Sequence, residues 1–212
     1  MHTTVLARLG KEFHIMPWLW GSPIENNTWG ADFDYTASKP SVGIESLSTV
    51  PIPLGSVNPI FKSRVSLKRF KTLHCPPASS FILVDSVWEK IILEFVPRDR
   101  VQFYPVRLIA RGEICDDFKW VIPFDRVRCI DLEKSRYRNR IDKPGISYVF
   151  SLDSMVLKPG CMGPLHLARD EQDTTALYVS NELRNALATT GEDSMFYRPE
   201  EYPTRHPTAR GS

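Results

Sequence analysis

Cys115, Asp116, Asp117 and His166 are the residues of this 212-residue chain whose types could carry out catalysis. A thiol held by a distant histidine and oriented by a carboxylate is the arrangement of a cysteine hydrolase. Only residue type joins these four, so a buried thiol and an ordinary polar histidine is the stronger reading. His74-Cys75 is a poorer candidate, because neighbours in an extended chain face opposite ways. Asp116-Asp117 could act as an acid–base pair or hold a metal, but no third and fourth ligand accompanies it. The pair reads better as a solvated strand end or turn. There is no G-x-S-x-G, no G-x-x-x-x-G-K-S/T, no G-x-G-x-x-G and no H-E-x-x-H. The sequence therefore implies no catalytic residue, no metal and no cofactor.

Two stretches could instead bind another macromolecule. Lys134, Arg136, Arg138 and Arg140 fall at every second position around Tyr137. An extended chain would put the four cations on one face, where they could follow a phosphate backbone. Asp131, Glu133 and Asp142 flank them and can neutralise them, so the stretch reads as a partly paired surface loop. Trp18, Trp20 and Trp29 lie near Asp32, Phe33, Asp34 and Tyr35. Rings mixed with acids suit a protein-binding surface, where aromatics anchor and carboxylates meet basic partners. The same rings could equally close a core. Trp18, Trp20, Asp32, Asp34, Asp116 and Asp117 are accordingly the candidate partner-binding residues.

Composition narrows the class. Lys plus Arg is 27 and Asp plus Glu is 25, a net charge of +2. That excludes a general nucleic-acid coat protein, whose affinity needs a large positive excess. No apolar run approaches the roughly 20 residues of a membrane helix. The first residues lack the basic and apolar regions of a signal peptide, so a soluble cytoplasmic protein is expected. Cys75, Cys115, Cys129 and Cys161 form no C-x-x-C pair, and in a cytosolic chain they are expected to be free thiols.

The elements that must position these residues are short. Residues 1–73 form a proline-rich, irregular or β segment, with Thr4–Leu9 and Phe13–Trp20 as candidate strands and Thr36–Ser48 as loop. Pro76-Pro77 suggests a hinge. Phe81–Val84 reads as a buried strand. Ser86 and Glu89 have capping-box spacing, which predicts a helix from Val87 to Pro97 with Val87, Ile91, Ile92 and Phe95 inward. Val101–Ala110, Ile114–Pro123 and Phe124–Leu132 predict an antiparallel meander, and Pro105 demotes the middle of the first strand to an edge or bulge. Ile146–Leu152, Leu165–Ala168 and Ala176–Val179 follow as strands. Ser180 caps a helix over Asn181–Thr189 that stops at Gly191. Residues 199–212 read as a polar tail. The fold class is α+β: a mostly antiparallel sheet of short strands with two main helices.

The run from Pro76-Pro77 through Phe81-Ile82-Leu83-Val84-Asp85 resembles a known family. So do Gln102-Phe103-Tyr104-Pro105, Phe118-Lys119-Trp120, and Val127-Arg128-Cys129-Ile130 followed by Asp131-Leu132-Glu133-Lys134-Ser135. Leu167-Ala168-Arg169-Asp170 and Tyr178-Val179-Ser180-Asn181-Glu182-Leu183 complete the pattern. Across residues 74–198 the chain resembles the immunity protein 43 family and, more loosely, the immunity protein 11 family. The resemblance implies an α+β protein that captures a cognate bacterial polymorphic toxin domain in the cytoplasm and occludes its active site. Nuclease toxins are common partners of such proteins. The resemblance transfers no catalytic residue. A small cysteine hydrolase and a nucleic-acid-binding module using Lys134–Arg140 stay open as other readings, and the sequence leaves the oligomeric state open.

Overall fold

The computed structural model of the chain describes residues 16–21, 30–38, 49–78 and 81–202. Thr4–Leu9, Trp29 and most of Thr36–Ser48 lie outside these residues. The elements run β1 (Trp18–Trp20), β2 (Asp32–Phe33), β3 (Ile60–Ser63), α1 (Leu67–Phe70), β4 (Leu83–Val84), α2 (Ser86–Phe95), β5 (Val101–Pro105), β6 (Arg107–Ala110), β7 (Glu113–Cys115) and β8 (Lys119–Pro123). They continue with β9 (Arg126–Val127), β10 (Arg136–Lys143), β11 (Ile146–Ser154), β12 (Leu167–Asp170), β13 (Leu177–Val179), α3 (Asn181–Ala188) and β14 (Phe196–Tyr197). The fold is α+β, and antiparallel pairings dominate; β3–β6 and β9–β12 are parallel.

Among the described residues, four sheets stack in order. β2-β3-β6-β7 covers one side of β4-β8-β5, and Phe33, Phe61, Leu108 and Cys115 meet Leu83, Tyr104, Trp120 and Ile122 between them. The other face of β4-β8-β5 packs Val84, Val101 and Val121 against Trp88 and Ile92 of α2 and Leu183 and Leu187 of α3. Trp20, Leu167, Leu177 and Val179 close that core from the sheet β14-β1-β13-β12-β9. The far face of this sheet carries Leu19, Ala168 and Tyr178 against Val149 and Leu152 of the hairpin β10-β11. Strands covered on both faces lose the polar alternation of a surface strand. This explains the buried run Trp120–Pro123 and the wholly buried β13.

Two described strands of the N-terminal segment sit inside their sheets. β1 lies between β13 and β14, and β3 lies between β2 and β6. The expected hinge at residues 74–78 is packed: Cys75 and Ala78 are buried, and Pro77 O accepts from Ala31 N at 2.9 Å. The expected tail begins as folded chain. Pro199–Glu201 forms a 3-10 turn, and Tyr202 is buried with its hydroxyl 3.3 Å from Asp173 Oδ2.

Several local expectations shift by a residue or two. Ser180 does cap α3, accepting from Leu183 N at 3.2 Å, and Leu183 and Leu187 face inward. At α2 the cap is Asp85, not Ser86. One Asp85 oxygen accepts from Val87 N and Trp88 N, while the other takes His74 Nδ1 at 2.7 Å. The rotation places Trp88 and Ile92 on the buried face and leaves Val87 exposed. Asp85→Ala removes the cap and the His74 partner together. It is expected to cost about 1–2 kcal/mol, measured by urea unfolding. Val101–Ala110 breaks at Pro105–Val106, where the chain leaves one sheet and enters the next. Ile114–Pro123 is two strands, interrupted by Asp116–Phe118, and the expected third strand shrinks to β9.

Two further corrections matter for function. Cys129 and Cys161 form a disulfide, so only Cys75 and Cys115 are free thiols, both buried. Composition could not show this, because the two sulfurs meet only when the 158–165 loop folds back onto the end of β9. The basic stretch Lys134–Arg140 is largely strand, paired along β11 with a bulge between Arg136 and Tyr137.

Candidate functional site

Asp32-Phe33-Asp34 alternates across β2, and the register carries that alternation through the sheet. Phe33, Phe61, Leu108 and Cys115 form one cross-strand row pointing inward, all buried. The adjacent row, Asp32, Lys62, Ile109 and Ile114, must point outward. Ile114 there is 59% exposed. A second outward row starts at Asp34, whose N–H donates to Ile60 O at 2.8 Å. It continues through Ile60 and Arg107 to Asp116. The sheet thus brings three of the expected residues, Asp32, Asp34 and Asp116, into one region, with Asp117 at its margin.

These carboxylates are partly committed. Lys62 pairs with Asp34, and the Thr36 and Ala37 amides donate to Asp34 Oδ1, holding this carboxyl below its usual range. Arg107 Nε reaches Asp116 at 3.1 Å, and Lys71 Nζ reaches Asp117 at 3.3 Å. The Cys115 thiol donates to Asp117 and, with Lys71, lowers its pKa. Burial pushes the Cys115 thiol upward, which opposes nucleophilic use. His166 belongs to another layer: it packs edge-on against Phe95 of α2 and bonds Ser180 Oγ at 2.8 Å. Thus Cys115 and His166 are not brought together. Among the described residues, no group of three His, Cys, Asp or Glu side chains could hold a metal ion. No helix among them is long and apolar enough to cross a membrane.

The two tryptophans part company with the acids. Trp20 is a core residue at 2% exposure, packed against Trp88 and Phe196, and is corrected from binding residue to core. Its neighbour across β13 is Leu177, which shares that buried face. Trp18 lies at the sheet margin, half-buried. Arg198 and Arg184 lie 3.7 and 4.5 Å from its ring centre, and its indole N–H donates to Asn181 Oδ1 at 2.7 Å. Its ring is already covered by the protein's own cations.

Sequence reasoning missed the loop that leads into β3. Pro51–Val57 is anchored by two side chains of β5. The Gln102 amide bonds both backbone groups of Ile52, at 2.8 and 2.7 Å. The Tyr104 hydroxyl accepts from Gly55 N and Val57 N and lies 3.0 Å from Val57 O. Ile52 and Val57 enter the core, while Leu54 stays 74% exposed at the tip. Tyr35, directly after Asp34, is 69% exposed with its ring edge on Phe33. The only sequence cue was the spacing of Pro51, Pro53 and Pro59; the anchors lie some fifty residues away.

Two of the flanking acids neutralise the basic stripe as expected: Arg140 meets Asp142, and Lys134 meets Asp131 at 3.1 Å. Arg138 meets Asp153 of the partner strand at 3.0 Å, a pair the sequence did not suggest. Ile141 and Phe150 on the hairpin remain 51% and 47% exposed. Compared with known proteins, the chain matches no family model and no curated sequence.

Proposed function

We propose that this protein is an immunity-type inhibitor: it binds a cognate toxin domain and blocks it by occlusion, with no turnover of its own. The observation that carries the reading is the braced loop Pro51–Val57, which leads into β3 and holds Leu54 in solvent. A single exposed leucine is ordinary. One whose backbone is locked by Gln102 and Tyr104 loses little freedom when it enters a partner's pocket, and such preorganisation raises affinity. Tyr35 and Ile114 add apolar area. Asp32, on the outward face of β2, can help attract a basic partner and speed encounter, whereas Asp34 and Asp116 are paired with Lys62 and Arg107. The family resemblance of residues 74–198 points the same way, with a nuclease as a suitable toxin and the cytoplasm as the site of capture. A stable inhibitory interface buries about 1,200–2,000 Å² in total.

The test is titration with the C-terminal domain of the adjacent gene's secreted product. Leu54→Glu and Tyr35→Ala are each expected to weaken binding at least about tenfold, the scale of an anchor residue. Their circular dichroism and unfolding midpoints should match the parent. Unchanged affinity in both variants removes this surface from the reading. Failure of the parent to bind below about micromolar, with the toxin's activity untouched, removes the inhibitor itself.

The hairpin supports a second reading, as a nucleic-acid contact, since β10 holds Arg136, Arg138 and Arg140 at alternate positions. That reading requires steeply salt-dependent binding that Arg136→Glu and Arg138→Glu abolish.

A further inference from the structure

Among the described residues, β10 pairs with β11 and with no other strand. Val149 N–H donates to Gln172 O at 2.9 Å, so it is turned away from β10. The residue opposite Val149 is Arg140. In an antiparallel ladder, opposite residues either bond each other or both face away, alternately along the strand. Arg140 N–H and C=O therefore point to the outer edge of β10, and so do those of Asp142, two residues on. This edge belongs to a strand of eight residues, Arg136–Lys143.

The side chains beside the edge limit what can dock there. Asn139 pairs with Phe150 and Ile141 with Tyr148, so Ile141 and Phe150 are diagonal neighbours on one face. Leu152 buries this face at the base of the hairpin, whereas Ile141 and Phe150 stay about half exposed. Apolar area next to an open backbone edge suits an extended segment whose alternate side chains are apolar. Charge is the second constraint. Arg138 and Arg140 have Asp153 and Asp142. Arg136 and Lys143, at the two ends of the strand, have no ion pair among the described residues; the Lys143 ammonium overlies the Tyr148 ring, 5.3 Å from its centre. A second copy of the chain fits poorly, since β10 carries four cations against Asp142 alone and two such strands side by side repel. A nucleic acid also fits poorly. Asp131, Glu133, Asp142 and Asp153 interrupt the stripe, and a phosphate chain gives no regular row of N–H donors to the open carbonyls.

We propose that the outer edge of β10 receives an extended segment of another protein by strand addition, and that this segment alternates apolar with acidic residues. Its backbone continues the ladder through Arg140 and Asp142. Its apolar side chains cover Ile141 and Phe150, and its carboxylates meet Arg136 and Lys143. This edge belongs to the hairpin, not to the four-stranded sheet and loop of the inhibitor reading, and does not depend on that reading.

The experiment follows amide exchange and chemical shifts of the full chain by NMR while a blocked peptide of alternating glutamate and valine, as long as β10, is added. In the free protein the Arg140 amide should exchange fast and the Ile141 amide slowly. With the peptide, the Arg140 amide should become protected, and the shifts should saturate with a Kd below about 1 mM. The same peptide with lysine for glutamate should bind at least about tenfold more weakly. Arg140→Pro removes an edge donor but no β10-β11 bond, so binding should fall at least about tenfold while the Ile141 amide stays slow. Arg140→Gln keeps the donor and should bind as the parent does. Arg136→Glu combined with Lys143→Glu should exchange the preference, taking the lysine peptide over the glutamate peptide. An Arg140 amide already slow in the free protein would mean that the edge is covered by this chain or a second copy, and overturns the proposal. So does equal binding of the two peptides, the absence of saturable binding, or binding of poly(dT) with neither peptide. Should Arg140→Pro fail to fold, the double variant decides: an exchanged preference sustains the proposal, and an unaltered one overturns it.

Discussion

Truncating Trp88 to Ala is expected to lower the unfolding free energy by about 3–5 kcal/mol, the cost of removing a large ring from a closed core. Trp88 is fully buried where α2, α3, β1 and β14 meet. Its ring stacks on Phe196 at 5.8 Å and lies 5.7 Å from Trp20, and its indole N–H donates to Thr190 Oγ1 at 2.9 Å. Truncation therefore opens a cavity, breaks two ring contacts and removes one hydrogen bond to the Thr190 hydroxyl, which still donates to Leu187 O. For a chain of this size the melting temperature should fall by roughly 6–20 °C, taking about 2–4 °C per kcal/mol. Trp20→Ala belongs to the same class. Trp18→Ala should cost much less, about 1–2 kcal/mol, because it removes a half-buried ring and two cation–π contacts. Urea unfolding of the three variants checks the ranking. A larger loss at Trp18 than at Trp88 would contradict the division of these rings between core and margin.

The second large effect is at the Cys129–Cys161 disulfide. The bridge spans 32 residues and encloses the whole β10-β11 hairpin. Opening a loop of that length is expected to cost about 4 kcal/mol through the entropy regained by the unfolded chain. Cys161→Ser and excess dithiothreitol should lower the urea midpoint alike, and dithiothreitol should add nothing to the variant. The parent's midpoint staying constant on reduction would mean that the bridge does not form in solution. The outcome bears on location, because a cytoplasm kept reducing by thiols disfavours such a bridge whereas an oxidising compartment preserves it. An inhibitor that works in the cytoplasm would work as the dithiol, held at this place by the packing of Met155, Leu157 and Met162 and by the backbone bonds of Cys129 to Lys158 and of Asp131 to Val156. Cys75 should stay unreactive to iodoacetamide in either state, since burial drives its thiol far upward.

Legibility followed the range of the interactions. α3 was readable because its cap, its Leu183–Leu187 face and its Gly191 stop all lie within a dozen residues. α2 was readable as a helix but not at its start. Asp85 and Ser86 are both good caps, and the choice is made by His74, which anchors Asp85 from outside the helix. The alternation of Arg136, Arg138 and Arg140 was visible, but whether it meant loop or strand depended on pairing with β11. Asp32-Phe33-Asp34 has the period of a strand and was passed over because turn formers surround it. Its partner Phe61 is what makes Phe33 face inward. The candidate site was half legible: Asp32, Asp34, Asp116 and Asp117 were found by type, but only the register of the four-stranded sheet unites them. Trp20 and Trp18 could not be told apart, because two residues of one strand share a face and differ only in where the sheet ends.

The placing of β1 has a consequence for biosynthesis. Trp18, Leu19 and Trp20 pair with Leu177, Tyr178 and Val179 on one side, and Leu19 and Trp20 with Tyr197 and Phe196 on the other. β1 therefore has no strand to dock on until residues up to Val179 have emerged from the ribosome, and gains its second neighbour only with Tyr197. Contacts so distant along the chain also slow assembly, because the intervening loop must close first. Until then Leu19 and Trp20 remain unpaired and bare to solvent, where a holdase chaperone can find them.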